Sequence, residues 1–135
     1  MAGIAELGKR SYVDASRVGV SRWSYGGYMT SWLRGNYRDA WGVARAGAPV
    51  TSWEDQYKFS DGNISLKNEM GGSPWVGDRE AFYQQQSPIT YVRNVKAPTL
   101  VLHRRGDLIC PFRSGRKLAA LVPGARFPAL EGDNH

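Results

Sequence analysis

Apolar residues change their spacing several times along this chain, and each change marks an element. Residues 3–14, GIAELGKRSYVD, carry helix-compatible spacing and stop near Asp14-Ala15-Ser16. Residues 17–22, RVGVSR, form a short β-prone run, and residues 25–37, YGGYMTSWLRGNY, return to a helical pattern. Residues 41–50, WGVARAGAPV, predict a second strand closed by Pro49. From Thr51 to Pro74 the periodicity is weak, which predicts loop with short helical turns. Residues 77–88, GDREAFYQQQSP, predict a helix with Asp78 as N-cap that stops before Pro88. The clearest strand is Thr99 to His103, apolar and β-prone between Pro98 and the Gly106-Asp107 turn. Residues 112–122, FRSGRKLAALV, predict a helix, and residues 125–132, ARFPALEG, a last strand leading into GDNH. Strands alternating with helices predict an α/β fold built on a parallel sheet.

Composition narrows the classes. With 135 residues, 41% hydrophobic and 12% aromatic, the chain supports one packed domain, residues 1–135. The net charge of +6 suits an acidic partner, but the arginines are scattered and no aromatic-basic module accompanies them, so nucleic acid is not an expected partner. One cysteine, Cys110, excludes an intrachain disulfide framework. No stretch has the apolar length of a membrane span, and the N-terminus lacks a signal-peptide core. The compartment is therefore unknown, cytoplasmic by default, with no membrane partner. No cluster has metal-ligand spacing and the Gly-Gly pairs match no phosphate-binding pattern, so neither metal nor cofactor is expected.

The stretch VGVSRWSYGGYMTSW, Val18 to Trp32, carries the candidate chemistry. Strand, sharp turn and helix, with Ser24 at the apex and Gly26-Gly27 behind it, form the layout of a nucleophile elbow. The strained turn lifts the serine Oγ out of the sheet. The amide of Tyr25, at the helix N-terminus, would point to the oxyanion of a tetrahedral intermediate. A serine needs a histidine base and a carboxylate that fixes its tautomer. Asp107 follows the strongest strand and His135 follows the last one, in the order Ser, Asp, His. Both fall at strand ends where open α/β sheets place their sites. His103, inside an apolar strand, is a structural residue or a substitute base. Cys110 is expected to be a small buried hydrophobe.

The segments DASRVGVSRWSYGGYMTSW, AGAPVTSWEDQY, EMGGSPW, QQSPITYVRNVKAPTLVLHRRGD and GDNH run along nearly the whole chain. In that order they resemble the catalytic domain of the prolyl oligopeptidase family, in its branch of dipeptidyl and acylaminoacyl peptidases. The resemblance implies an α/β-hydrolase fold, shortened to the part from the elbow strand onward and lacking the strands ahead of it. It implies Ser24 as nucleophile, Asp107 as orienter and His135 as base, with Trp53 and Tyr57 lining the acyl-side pocket. The implied activity is cleavage of carboxylic esters or peptides through an acyl-enzyme, small esters favoured. The alternative is an impaired fragment that acts only as a self-associating module.

Departures from the family pattern sharpen the expectations. Arg22 stands where the family has glycine, so its side chain must exit to solvent or force the elbow open, at about 1–3 kcal/mol for overpacking. Arg45 and Arg104 also occupy positions where small or apolar residues are expected. The second oxyanion donor of relatives lies on the missing strands. Without those strands RVGVS becomes an exposed edge, which predicts a homodimer or higher oligomer.

Overall fold

The computed structural model describes residues 1–135. Its elements are α1 (Ala2–Leu7), β1 (Gly19–Trp23), α2 (Tyr25–Asn36), β2 (Val43–Gly47), α3 (Trp53–Phe59), α4 (Asn63–Glu69), α5 (Arg79–Gln86), β3 (Thr99–Arg104), α6 (Phe112–Leu121) and β4 (Ala129–Leu130). A 3-10 run, Pro88–Asn94, precedes β3.

The four strands pair in parallel in the order β1-β2-β3-β4. Each crossover steps the same way across the sheet, so right-handed connections stack their helices on one face. That face carries Ala44 and Ala46 of β2 opposite Thr99 and Val101 of β3, all buried. Over it, Val92 and Val95, from the 3-10 run and the residue that closes it, meet Val101 and then Leu118 and Val122 at the α6 end. Full burial of one such side chain contributes about 1.5–3 kcal/mol. Ser21, Val43 and Arg45 point the other way and stay exposed.

Helix α2 sits against the sheet because its contact side is stripped to glycine. A Cβ on Gly27 would collide with the Gly47 carbonyl, and one on Gly35 would lie 2.6 Å from Tyr91 Cβ. The Thr30 and Ser31 hydroxyls, both buried on α2, donate back to the carbonyls of Gly26 and Gly27 at 2.9 Å.

The structure confirms the α/β fold and corrects several bounds. The first helix ends at Leu7 rather than Asp14. No residue of α1 is buried, so packing does not extend it, and beyond Gly8 the run Ser11-Tyr12-Val13 has poor helix propensity. The segment from Thr51 to Pro74 holds two helices, α3 and α4. Ser52 caps α3 by accepting from the Asp55 amide at 3.1 Å, with Glu54 and Asp55 in the first turn. Asp78 stands at the N-cap of α5 but its side chain makes no capping bond. The last strand shrinks to Ala129–Leu130, with one isolated bridge from Leu100 to Arg126. Pro128 lies between the two pairings and has no amide to donate.

Candidate active site

Because the strands are parallel, their C-terminal ends open on one side, and the loops after β1, β3 and β4 meet there. Ser24 follows β1 directly with φ 57° and ψ −125°, a conformation that costs a non-glycine residue about 1–3 kcal/mol. Two backbone bonds hold it: its amide donates to Gly47 O and its carbonyl accepts from the Tyr28 amide, both at 3.0 Å. Its side chain makes no capping bond to α2, which leaves Oγ available. The Tyr25 amide is the first of the helix and has no intrahelical acceptor. Gly26 is required here, since a Cβ would collide with Arg22 Cβ.

Arg22 itself takes the first of its two options: it is exposed and the elbow keeps its shape. Arg45 donates from Nε to Ser21 Oγ at 2.8 Å on the exposed side of the sheet. Arg104 donates from Nη1 to Asn134 Oδ1 at 2.5 Å, in the loop that follows β4. None of the three unexpected arginines disturbs the elbow.

Asp107 and His135 come together. His135 Nδ1 lies 2.9 Å from Asp107 Oδ2, and the carboxylate is fully buried while the imidazole is partly exposed. The other carboxylate oxygen accepts from the amides of Ile109 at 3.0 Å and Cys110 at 2.9 Å. His135 Nε2 is enclosed without a hydrogen-bond partner, so no bond joins it to Ser24 Oγ. Catalytic hydrogen bonds of unliganded enzymes often close only around substrate. Trp23 meets His135 edge-on, with ring centroids 6.5 Å apart.

Beside Ser24 lies a cavity of about 220 Å³. Trp53 contributes to its wall, fixed by its amide on Ser87 Oγ at 2.9 Å and its indole N–H on Gln86 O at 3.1 Å. Tyr25, Val50, Leu66 and Ile109 add apolar wall, and Gln56 and Glu69 add polar atoms. Tyr57 does not line this cavity; it packs edge-on against Trp75 and Tyr83 with centroids 5.3 and 6.2 Å away. Gln56, the residue before it, takes the place expected of Tyr57. The signal for it is the helical register from Trp53 to Gln56, which the weak periodicity of this stretch hides. Under the elbow, Tyr28, Ala48, Val50 and Cys110 form a buried cluster. Burial, then the Asp107 charge, pushes the Cys110 thiol up to about 12, against a smaller opposing effect of the Ser24 hydroxyl. The thiol therefore stays protonated.

The chain matches the prolyl oligopeptidase family over residues 1–125. Dipeptidyl-peptidase 5 of Porphyromonas gingivalis is 29% identical over 122 residues, 89% of this chain and 18% of that protein. Acylamino-acid-releasing enzyme 2 of Oryza sativa is 34% identical over 117 residues, 79% of this chain and 15% of that protein. The solved structure of Pyrococcus horikoshii acylaminoacyl peptidase superposes with a TM-score of 0.88 at 27% identity, covering 98% of this chain and 22% of that one. The chain thus spans about a fifth of the length of these relatives. No helix is long and apolar enough to cross a membrane. With residues 1–125 inside the family match and nearly the whole fold superposing on a family structure, the chain belongs to the prolyl oligopeptidase family.

Proposed function

We propose that this chain is a serine hydrolase that cleaves carboxylic ester or peptide bonds, small esters most readily. The observation that carries this reading is the 2.9 Å contact of His135 Nδ1 with the buried Asp107 carboxylate, on the same side of the sheet as the strained Ser24. With Nδ1–H donated to Asp107, the lone pair of His135 is on Nε2, the nitrogen a general base uses. As substrate enters, Nε2 takes the proton of Ser24 Oγ while Oγ attacks the carbonyl carbon. The Tyr25 amide donates to the oxyanion. His135 then protonates the leaving oxygen or nitrogen, and water repeats the sequence on the acyl-enzyme. Trp53 and Gln56 bound the acyl group within the 220 Å³ cavity, a volume that favours small groups. Esters have the better leaving group and tolerate an oxyanion held by few donors.

The test is hydrolysis of p-nitrophenyl acetate by the protein beside its Ser24→Ala variant, with fluorophosphonate labelling of both. Activity and labelling that vanish in the variant support the reading; equal rates overturn it.

A further inference from the structure

Asp107 has a second imidazole beside it. His103, on the buried face of β3, has no exposure, and its Nε2 lies 2.7 Å from Cys110 O and 3.5 Å from Asp107 Oδ2. A carbonyl only accepts, so Nε2 carries the hydrogen and donates it to Cys110 O. That choice leaves Nδ1 bare, and Nδ1 has no partner. It faces α6 at Gly115, where any Cβ would collide with it. Phe112 packs on the ring edge-on, with centroids 5.8 Å apart. The imidazole is thus held in one place, in a tautomer that one carbonyl dictates.

What it holds in turn is the turn from Asp107 to Cys110. Asp107 Oδ1 accepts from the amides of Ile109 and Cys110 inside that turn, while His103 ties its last carbonyl. The carboxylate then has one oxygen committed to the turn and one, Oδ2, left for His135. We propose that His103 is a positioning residue: by tying the Cys110 carbonyl it fixes the turn that aims Asp107 Oδ2 at His135. It is not a substitute base, because its donor nitrogen is committed and its other nitrogen points at the backbone of α6. This role rests on the serine-hydrolase reading for its catalytic meaning, and on geometry alone for its structural meaning.

Burial supports the assignment by holding His103 below the ordinary histidine range, so that it stays neutral and donates a single hydrogen. A neutral donor steadies the turn without competing for the Asp107 charge that His135 needs.

The experiment compares the wild type with His103→Leu, His103→Gln and Gly115→Ala. Two quantities are read: the downfield proton resonance of the His135 Nδ1–H, identified by its loss in Asp107→Asn, and kcat and KM for p-nitrophenyl acetate. A misaimed base costs on the order of a hundredfold in rate. His103→Leu should shift or erase the resonance and lower kcat on that scale with KM within about twofold. Gln, whose amide reaches the same carbonyl, should recover most of both. Gly115→Ala, which pushes the ring without altering it, should move both readouts in the direction of Leu.

An unchanged resonance in folded His103→Leu and Gly115→Ala overturns the proposal. So does a Gln variant no better than Leu, which would reduce His103 to packing. Should His103→Leu fail to fold, Gly115→Ala and His103→Gln decide. If wild type and Ser24→Ala hydrolyse the ester alike, the hydrolase reading falls, while the resonance still judges His103.

Discussion

The indole of Trp23 packs against the backbone of Gly47 so closely that a Cβ there would overlap its six-membered ring. The two residues are register partners across β1 and β2. Trp23 also meets the edge of His135. One missing side chain thus makes room for the ring that backs the histidine.

Replacing that glycine should show both effects at once. Gly47→Ala is expected to destabilise the fold by about 1–3 kcal/mol through overpacking. It should also lower any Ser24-dependent ester hydrolysis, because the displaced indole presses on His135. Urea denaturation and a p-nitrophenyl ester assay measure the two; a variant of wild-type stability would contradict the contact.

Ser24 carries backbone strain at the elbow. Its φ of 57° is a region glycine adopts freely. Ser24→Gly should therefore raise stability, by about 1–3 kcal/mol, while abolishing fluorophosphonate labelling. A thermal melt that moves down instead of up would mean the elbow is relaxed.

Arg34 is the least comfortable residue in the core. It is 2% exposed, and its Nη2 donates to Ala97 O at 2.7 Å, yet Nε and Nη1 have no partner. Desolvation pulls its guanidinium below the ordinary arginine range. Replacing buried charge with an apolar side chain of similar volume often stabilises by about 1–4 kcal/mol. Arg34→Met should thus raise the midpoint of thermal unfolding, and a fall would reveal a compensating interaction.

His103 makes stability depend on pH in a defined direction. Its folded-state pKa is lowered, chiefly by burial, against the opposing effects of the Cys110 carbonyl and Asp107. Below the ordinary value of about 6.5 the unfolded chain binds a proton that the folded chain refuses, so stability falls as pH falls through that point. Melts from about pH 7.5 down to about pH 5 should show this slope, and His103→Gln should flatten it. A slope of the same size in the variant would assign it to other groups.

Much of the candidate site's layout was legible in the sequence because punctuation carries it. Ser24 before two glycines, Asp107 after a strand and turn, and His135 after the last apolar run are each marked by local chemistry that tertiary contacts do not override. The element order survived for the same reason. What stayed hidden depends on partners distant in the chain. Helices α3 and α4 are short, bury few residues and so leave little periodicity, although the Ser52 cap was in plain view. Gln56 rather than Tyr57 lines the cavity because it shares the helical face of Trp53, a register that the weak periodicity of this stretch hides. The role of His103 needed the position of Cys110 O, seven residues away and on the far side of a turn.

Strand β4 joins the sheet through two residue pairs, His103 with Ala129 and Arg104 with Leu130, with one isolated bridge ahead of it from Leu100 to Arg126. The elbow, by contrast, is buttressed by β2 and the full length of α2. Opening at the β4 end breaks a short pairing, whereas opening at β1 breaks five register pairs with β2 and unseats α2. Ser24 and His135 thus follow strands of unequal support. On warming, their alignment should fail before the protein melts, which a loss of ester hydrolysis below the melting midpoint would show.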